Sequence, residues 1–325
     1  MSYAFEIKSL VKKFGKVTAL DGVTLNAEEG RVFGLLGPNG AGKTTIVRIL
    51  STLLDFDSGQ VKVHGIDVSK NPELVRETIG LGGQFAAVDE YLTGYENIFM
   101  VGRLYGLNRS DAKKKTIDLL ERFNLSEAMN RQVKTYSGGM KRRLDLGASL
   151  IGEPRILFLD EPTTGLDPST RLDLWEIIRG LVKNGTSILL TTQYLEEADE
   201  LANKIAVVNK GKVIAEGTSN ELKAKLGGDV VEFQLTHMSD KGRALTSVKK
   251  FAKTDPDFDD NTLMITVPVK DGSKSLMAIV QALNDIKLSV SALSLHRPSL
   301  DDVFLSLTGH KTEAEEPNSR KRRKK

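Results

Sequence analysis

The sequence predicts an α/β protein built on a mostly parallel sheet, followed by a second and smaller α/β module. Short apolar runs alternate with helical patterns from residue 4 to residue 226, as expected of a parallel sheet covered by helices. A glycine-rich loop, Gly37-Pro38-Asn39-Gly40-Ala41-Gly42-Lys43-Thr44, stands between one such run and the helix that follows it. After Leu226-Gly227-Gly228 the elements become shorter, which places a domain boundary near residue 228. The length of 325 residues agrees, since it suits two domains of ~150 residues better than one.

The elements follow in order. Phe5–Leu10 alternates like an edge strand, and Val32–Leu36 is an apolar run ending in glycine. Lys43–Leu54 carries Ile46, Ile49, Leu50 and Leu53 at helical spacing. Ser110–Phe123 opens on Ser-Asp, which can cap a helix, and sets Ile117, Leu120 and Phe123 along one side. Ile156–Leu159 and Ile188–Leu190 are apolar runs bounded by polar residues, as buried strands are. Pro168 can start the helix through Arg179, because proline fits a first turn. The second module reads as a strand at Val230–Leu235, a helix near Lys241–Ala252 and a strand at Thr262–Pro268. A helix at Ser275–Asn284 and a strand at Leu288–Leu295 complete it.

Composition narrows the function. No apolar run approaches the ~20 residues of a transmembrane helix, and the N-terminus lacks the apolar block of a signal peptide. The absence of cysteine excludes disulfides, thiolate metal sites and a cysteine nucleophile. The net charge is +3, but residues 311–325 hold seven Lys/Arg against three Glu, so the remaining 310 residues sit at −1. The body is therefore no nucleic-acid surface by charge, and the basic character belongs to a tail expected to be disordered.

The chemistry starts at the glycine-rich loop. Its glycines let backbone N–H groups converge on phosphates, and the helix from Lys43 adds its positive dipole end. Lys43 can reach the β- and γ-phosphates, while the Thr44 hydroxyl can ligate Mg²⁺. At an interval of 117 residues from Lys43, Ile156-Leu157-Phe158-Leu159 ends in Asp160-Glu161. In open α/β sheets ligands bind at that end of the strands. Asp160 is suited to hold Mg²⁺, and Glu161 to polarise a water in line with the γ-phosphate. Ser137-Gly138-Gly139 lies 23 residues before Asp160 and leads into a helix.

This set resembles the ATP-binding cassette ATPases, whose signature is a Ser-Gly-Gly at a helix N-terminus between the phosphate loop and the acidic strand. Gln84, after Gly80-Leu81-Gly82-Gly83, resembles the family's glutamine loop, which implies a catalytic and Mg²⁺-ligating role. Gly165-Leu166-Asp167 resembles its D-loop, and Phe14, in Lys13-Phe14-Gly15, the aromatic that stacks on adenine. The resemblance spans residues 4–226 and implies an antiparallel β subdomain and a helical signature subdomain around the parallel core. It assigns nucleotide binding to Gly37, Pro38, Asn39, Gly40, Ala41, Gly42, Lys43, Thr44 and Thr45, to Phe14, and to Ser137, Gly138, Gly139 and Asp167. In this family the signature contacts ATP held by the opposite subunit, so one cassette per chain implies a head-to-tail pair with two ATP molecules between them.

One position departs from the common pattern. After Thr191-Thr192 stands Gln193 where most of the family has histidine; its amide can donate to the γ-phosphate but cannot take up a proton. Gln193 with Tyr194-Leu195-Glu196-Glu197-Ala198-Asp199 is similar to the daunorubicin-resistance branch of drug-export ATPases. So are Val88-Asp89-Glu90, Leu92-Thr93-Gly94, Glu96-Asn97 and Arg297–Leu305. The resemblance implies the ATPase subunit of a multidrug exporter, using ATP and Mg²⁺ and working on a separate membrane permease received near residues 84–105. It implies a cassette homodimer held peripherally at the cytoplasmic face of the membrane, with no nucleic-acid partner. The domains are then 1–228, an accessory module at 229–310 and the tail 311–325. A soluble cassette ATPase of DNA repair or the ribosome is the alternative. The 94 residues between Lys43 and Ser137 leave no room for the coiled coil many of those carry.

Overall fold

The computed structural model describes residues 2–83, 88–224, 229–296, 299–301 and 303–304. Two compact units divide the chain, one ending at Thr218 and the other beginning at Ser219. The first opens with β1 (Tyr3–Phe14), β2 (Val17–Glu28), β3 (Val32–Leu36) and α1 (Lys43–Leu50). It continues through β4 (Ser58–Val63), β5 (Ile66–Asp67), α2 (Pro72–Thr78), β6 (Ile79–Gly82), α3 (Gly94–Leu104), α4 (Arg109–Arg122) and α5 (Gly138–Ser149). β7 (Ile156–Asp160), α6 (Pro168–Lys183), β8 (Ser187–Thr192), α7 (Leu195–Leu201), β9 (Lys204–Asn209) and β10 (Lys212–Gly217) complete it.

Two sheets organise this unit. The central one runs β10-β9-β3-β8-β7-β6, parallel throughout except for the β9–β10 hairpin. Every residue of β3, β7 and β8 is buried, because helices and the second sheet cover both faces. The second sheet, β2-β1-β4-β5, is antiparallel. Phe5 of β1 meets Phe33 of β3 edge-on, with ring centroids 5.4 Å apart, so the two sheets share one core. A further core gathers residues of α3 to α6, among them Ile98, Leu120, Leu144 and Trp175, against the other face of the parallel sheet.

Several elements differ from expectation. β1 is longer than Phe5–Leu10 and lies between β2 and β4 rather than at an edge. Alternation reports that one face is buried and says nothing about which neighbours a strand has. β2 was not anticipated; its pairing with β1 passes through four register shifts, which blur any two-residue period. α4 starts one residue before Ser110, and its cap is Asn108, whose Oδ1 accepts from the Asp111 amide at 2.9 Å. α6 runs on to Lys183.

In the second unit, α8 (Ser219–Ala224) and β11 (Val230–Leu235) are followed by α9 (Lys241–Val248), β12 (Asp257–Asp259), β13 (Met264–Pro268), α10 (Gly272–Asp285) and β14 (Val290–His296). The antiparallel sheet has the order β12-β13-β11-β14, a split βαβ arrangement in which α9 and α10 are the crossovers. Val231, Phe233 and Leu235 alternate inward from β11 and pack with Ile265, Val267, Ile279 and Val248. Residues 225–228, Arg297, Pro298, Asp302, Leu305 and the tail 311–325 lie outside the described residues.

Candidate functional site

The residues with chemistry converge at the C-terminal ends of β3, β7 and β8. β3 delivers the glycine-rich loop, which lines a cavity of about 140 Å³ with Pro38, Asn39, Gly40, Ala41, Gly42, Lys43, Thr44 and Thr45. Ala19 of β2 and Glu161 close it. The loop passes so near β9 that a Cβ on Gly37 would lie 2.2 Å from the Val208 carbonyl oxygen, so only glycine fits there. No side chain caps α1, whose N-cap is Gly42, and the first-turn amides are left for an anion.

Lys43 is 4% exposed, and its Nζ donates to the Gly37 and Pro38 carbonyls at 2.5 and 3.2 Å. Glu161 Oε1 is 3.5 Å from the same nitrogen. Burial pushes the Lys43 ammonium below its ordinary pKa, and Glu161 draws it part of the way back. The ion pair therefore offsets part of the cost of burying a cation at the bottom of the loop.

Asp160 and Glu161 end β7, and register with β8 sets them: Asp160 pairs with Thr191. The Thr191 hydroxyl donates to Asp160 Oδ1 at 2.5 Å and accepts from the Glu161 amide at 3.0 Å. Glu161 sits at φ +50°, in the left-handed region that few non-glycine residues adopt. Strain of that kind persists only where neighbours over-determine it. Thr191 is one such neighbour, Thr164 another, its amide and hydroxyl donating to the Glu161 carbonyl and carboxylate at 3.3 Å, and Arg142 of α5 a third. Its guanidinium donates to the Pro162, Asp160 and Glu161 carbonyls and to that of Gly83.

The remaining expected residues lie apart from this cavity. Ser137 caps α5, its hydroxyl accepting from the Met140 amide at 3.2 Å. Gly139 faces α6, where a Cβ would fall 2.4 Å from the Thr170 methyl. Asp167 caps α6: Oδ1 accepts from the Thr170 amide at 3.0 Å and Oδ2 from its hydroxyl at 2.6 Å. Those bonds hold its carboxyl below the usual range. None of Ser137, Gly138, Gly139 and Asp167 lines the cavity of the glycine-rich loop. Gln193 is half-buried just past β8, and Phe14, at the end of β1, is 49% exposed with Lys12 over its ring. Gln84 lies outside the described residues.

Comparison with known proteins decides the family. Residues 20–164 match the ABC transporter family, and residues 217–308 match the C-terminal domain of DrrA1-3-like ATP-binding proteins. The daunorubicin resistance ATP-binding protein DrrA2 of Streptomyces coeruleorubidus is 50% identical over 96% of this chain and 97% of its own length. The chain belongs to the ABC transporter ATP-binding proteins. The daunorubicin/doxorubicin resistance protein DrrA of Streptomyces peucetius is 46% identical over 94% of the chain and 93% of its own length. Clostridium perfringens cbiO1, part of the ABC transporter complex cbiONQ, shares the fold at a TM-score of 0.65 and 24% identity. That match covers 70% of this chain and 92% of cbiO1.

As an ABC ATPase the chain is an ATP-hydrolysing transporter subunit. Such subunits bind ATP, generally dimerise and work with a separate permease. Among the described residues, no helix is long and apolar enough to cross a membrane.

The sequence reading missed Ala19, Thr191, Arg142 and Glu197. Ala19 gives no signal, being a small apolar residue in a strand. Glu197 of α7 is fully buried and accepts from Trp175 Nε1 at 3.1 Å. Burial raises its carboxyl pKa, against the smaller pull of Thr192, Thr163, Trp175 and Arg171. A folded-state pKa above the unfolded one means the folded ABC ATPase holds the extra proton, so this contribution to stability is present at low pH. It is lost as pH rises from about 4.5 through the raised value. We therefore expect the melting temperature of Glu197→Gln to fall less than wild type across that rise. Equal slopes for the two proteins would show that Glu197 is not protonated in the fold.

Proposed function

We propose that the chain is the motor of a drug or antibiotic exporter, driven by ATP closing two cassettes head to tail. The observation that carries this reading is the separation of the site into two halves. Lys43, Thr44 and Glu161 share one cavity, while Ser137, Gly138, Gly139 and Asp167 do not line it. A second copy, supplying its signature and D-loop, would complete each site, as an isologous pair allows.

In this reading ATP lays its β- and γ-phosphates on the loop amides, and Phe14 stacks on adenine. Lys43 exchanges Glu161 for the phosphates. That exchange frees the Glu161 carboxylate to take the proton of a water aligned on the γ-phosphate, yielding ADP and phosphate. Gln193 donates to the γ-phosphate through its amide and senses its presence without a proton of its own. Hydrolysis removes the group that joins the cassettes, and the pair opens.

The donors for a metal fit Mg²⁺. Thr44 is exposed at the start of α1, and Asp160 keeps one oxygen clear of its Thr191 bond. Both are hard oxygen donors, and Gln84 would add a third. Among the described residues no cluster of three or more His, Asp or Glu could hold a metal alone, so phosphate and water oxygens would complete the shell. When bound, the ion supplies charge to offset that developing on the phosphates.

The partner is a separate permease, seated at residues 84–105, which fixes the chain peripherally to the cytoplasmic face of the membrane. Residues 1–228 form the motor, 229–310 an accessory module, and 311–325 a basic tail that adds attraction to anionic lipid at most. The daunorubicin and doxorubicin resistance of the relatives supports drug efflux. The test is purification of the tagged full chain from its own membranes. An integral membrane protein should co-purify, and inverted vesicles holding both should accumulate daunorubicin with ATP but not with a non-hydrolysable analogue. Recovery with ribosomes or DNA, and without a membrane protein, would move the chain to the soluble class.

A further inference from the structure

Arg142 stands in the second turn of α5, five residues past the Ser137 cap, and its side chain is 10% exposed. It does not line the phosphate-loop cavity. Its donors go to the backbone where β7 and β6 end. Nε reaches the Pro162 carbonyl at 2.7 Å, one terminal nitrogen reaches Asp160 and Glu161 at 3.4 and 3.2 Å, and the other reaches Gly83. Asp145, one turn along α5, lies 3.7 Å away and orients the fork. Only a planar, multiply donating cation can serve four carbonyls from one position.

The placement matters because of what Glu161 needs. Its φ of +50° is held from the amide side by Thr191 and from the carbonyl side by Arg142 at 3.2 Å and the Thr164 amide at 3.3 Å. Removing the guanidinium leaves only the Thr164 amide on that carbonyl and frees the carbonyls of residues 160 and 162, so the peptide planes on either side of Glu161 relax and the carboxylate swings with them. We propose that Arg142 is a positioning residue for hydrolysis: its guanidinium fixes the backbone of residues 160–162 so that Glu161 stays aimed, and makes that aim depend on the placing of the signature helix α5. The inference rests on Glu161 being the hydrolytic base. The signature serine caps α5, so a shift of the helix start on engaging nucleotide passes to Glu161 through one side chain.

The test compares Arg142→Lys and Arg142→Gln in the full chain, each also combined with Glu161→Gln. A misplacement near 1 Å costs about 100-fold in rate, so kcat should fall roughly 10- to 100-fold, more for Gln than for Lys. ATP affinity, read by displacement of a fluorescent nucleotide, should stay within about threefold of wild type, because Arg142 does not reach the phosphate cavity. In single-turnover decay of radiolabelled ATP, adding either Arg142 change to Glu161→Gln should cost nothing further. Wild-type kcat in both single variants, or an equal loss with and without Glu161, would overturn the proposal. Normal turnover in Glu161→Gln alone would instead remove the base assignment, whatever the Arg142 variants do.

Discussion

Glu161→Gln should lower ATP turnover by roughly 10²- to 10⁴-fold, the contribution of a positioned general base, while leaving nucleotide bound. Glutamine has the shape of the glutamate but no basic oxygen to receive the proton of water. The neutral side chain also frees Lys43, which Glu161 holds at 3.5 Å, for the phosphates. Affinity for ATP should therefore hold or rise. The variant with MgATP should elute from size exclusion as a dimer and return to monomer when EDTA is added. A monomer under those conditions, with turnover lost, would refute the paired-cassette reading and leave the base assignment standing. Unchanged turnover would refute the base.

Lys43→Ala should act one step earlier. It removes the cation buried among the Gly37 and Pro38 carbonyls and leaves Glu161 without its cationic partner. A charge-assisted bond contributes about 1.5–3 kcal/mol, so ATP affinity should weaken roughly 10- to 150-fold. Turnover at saturating ATP should fall about 10²- to 10³-fold further, since the charge developing on the phosphates loses its nearest donor. The two substitutions thus separate: one traps nucleotide and the other fails to hold it. Titration with a fluorescent ATP analogue distinguishes them, and wild-type affinity in Lys43→Ala would show that the lysine does not face the phosphates.

Much of this architecture was legible in the sequence, and the legible parts share a cause. β3, β7 and β8 are buried on both faces, and continuous apolar runs record that directly. The glycine-rich loop and the acidic pair stand out because each is a run of consecutive residues of unusual type, beside an apolar strand. β2 was invisible because its pattern is broken by bulges against β1, and β12, only three residues long, is too short for any period to show. Arg142 and Thr191 escaped for another reason. Each acts on residues 18 to 59 positions away, or 30 and 31, through contacts that only the strand register and the seating of α5 create. A threonine at a strand end and an arginine on a helix carry no local mark of those partners.

Thr170 links Gly139 and Asp167 through a single residue. Its methyl fills the space a Cβ at position 139 would need, while its hydroxyl and amide serve Asp167. An alanine at 139 would require a smaller neighbour at 170, and alanine there would strip Asp167 of a hydroxyl donor. Positions 139, 167 and 170 can therefore drift through descent only as a group. Lineages that alter one of the three should carry a matching change in the others, a constraint on inheritance that no single motif reveals.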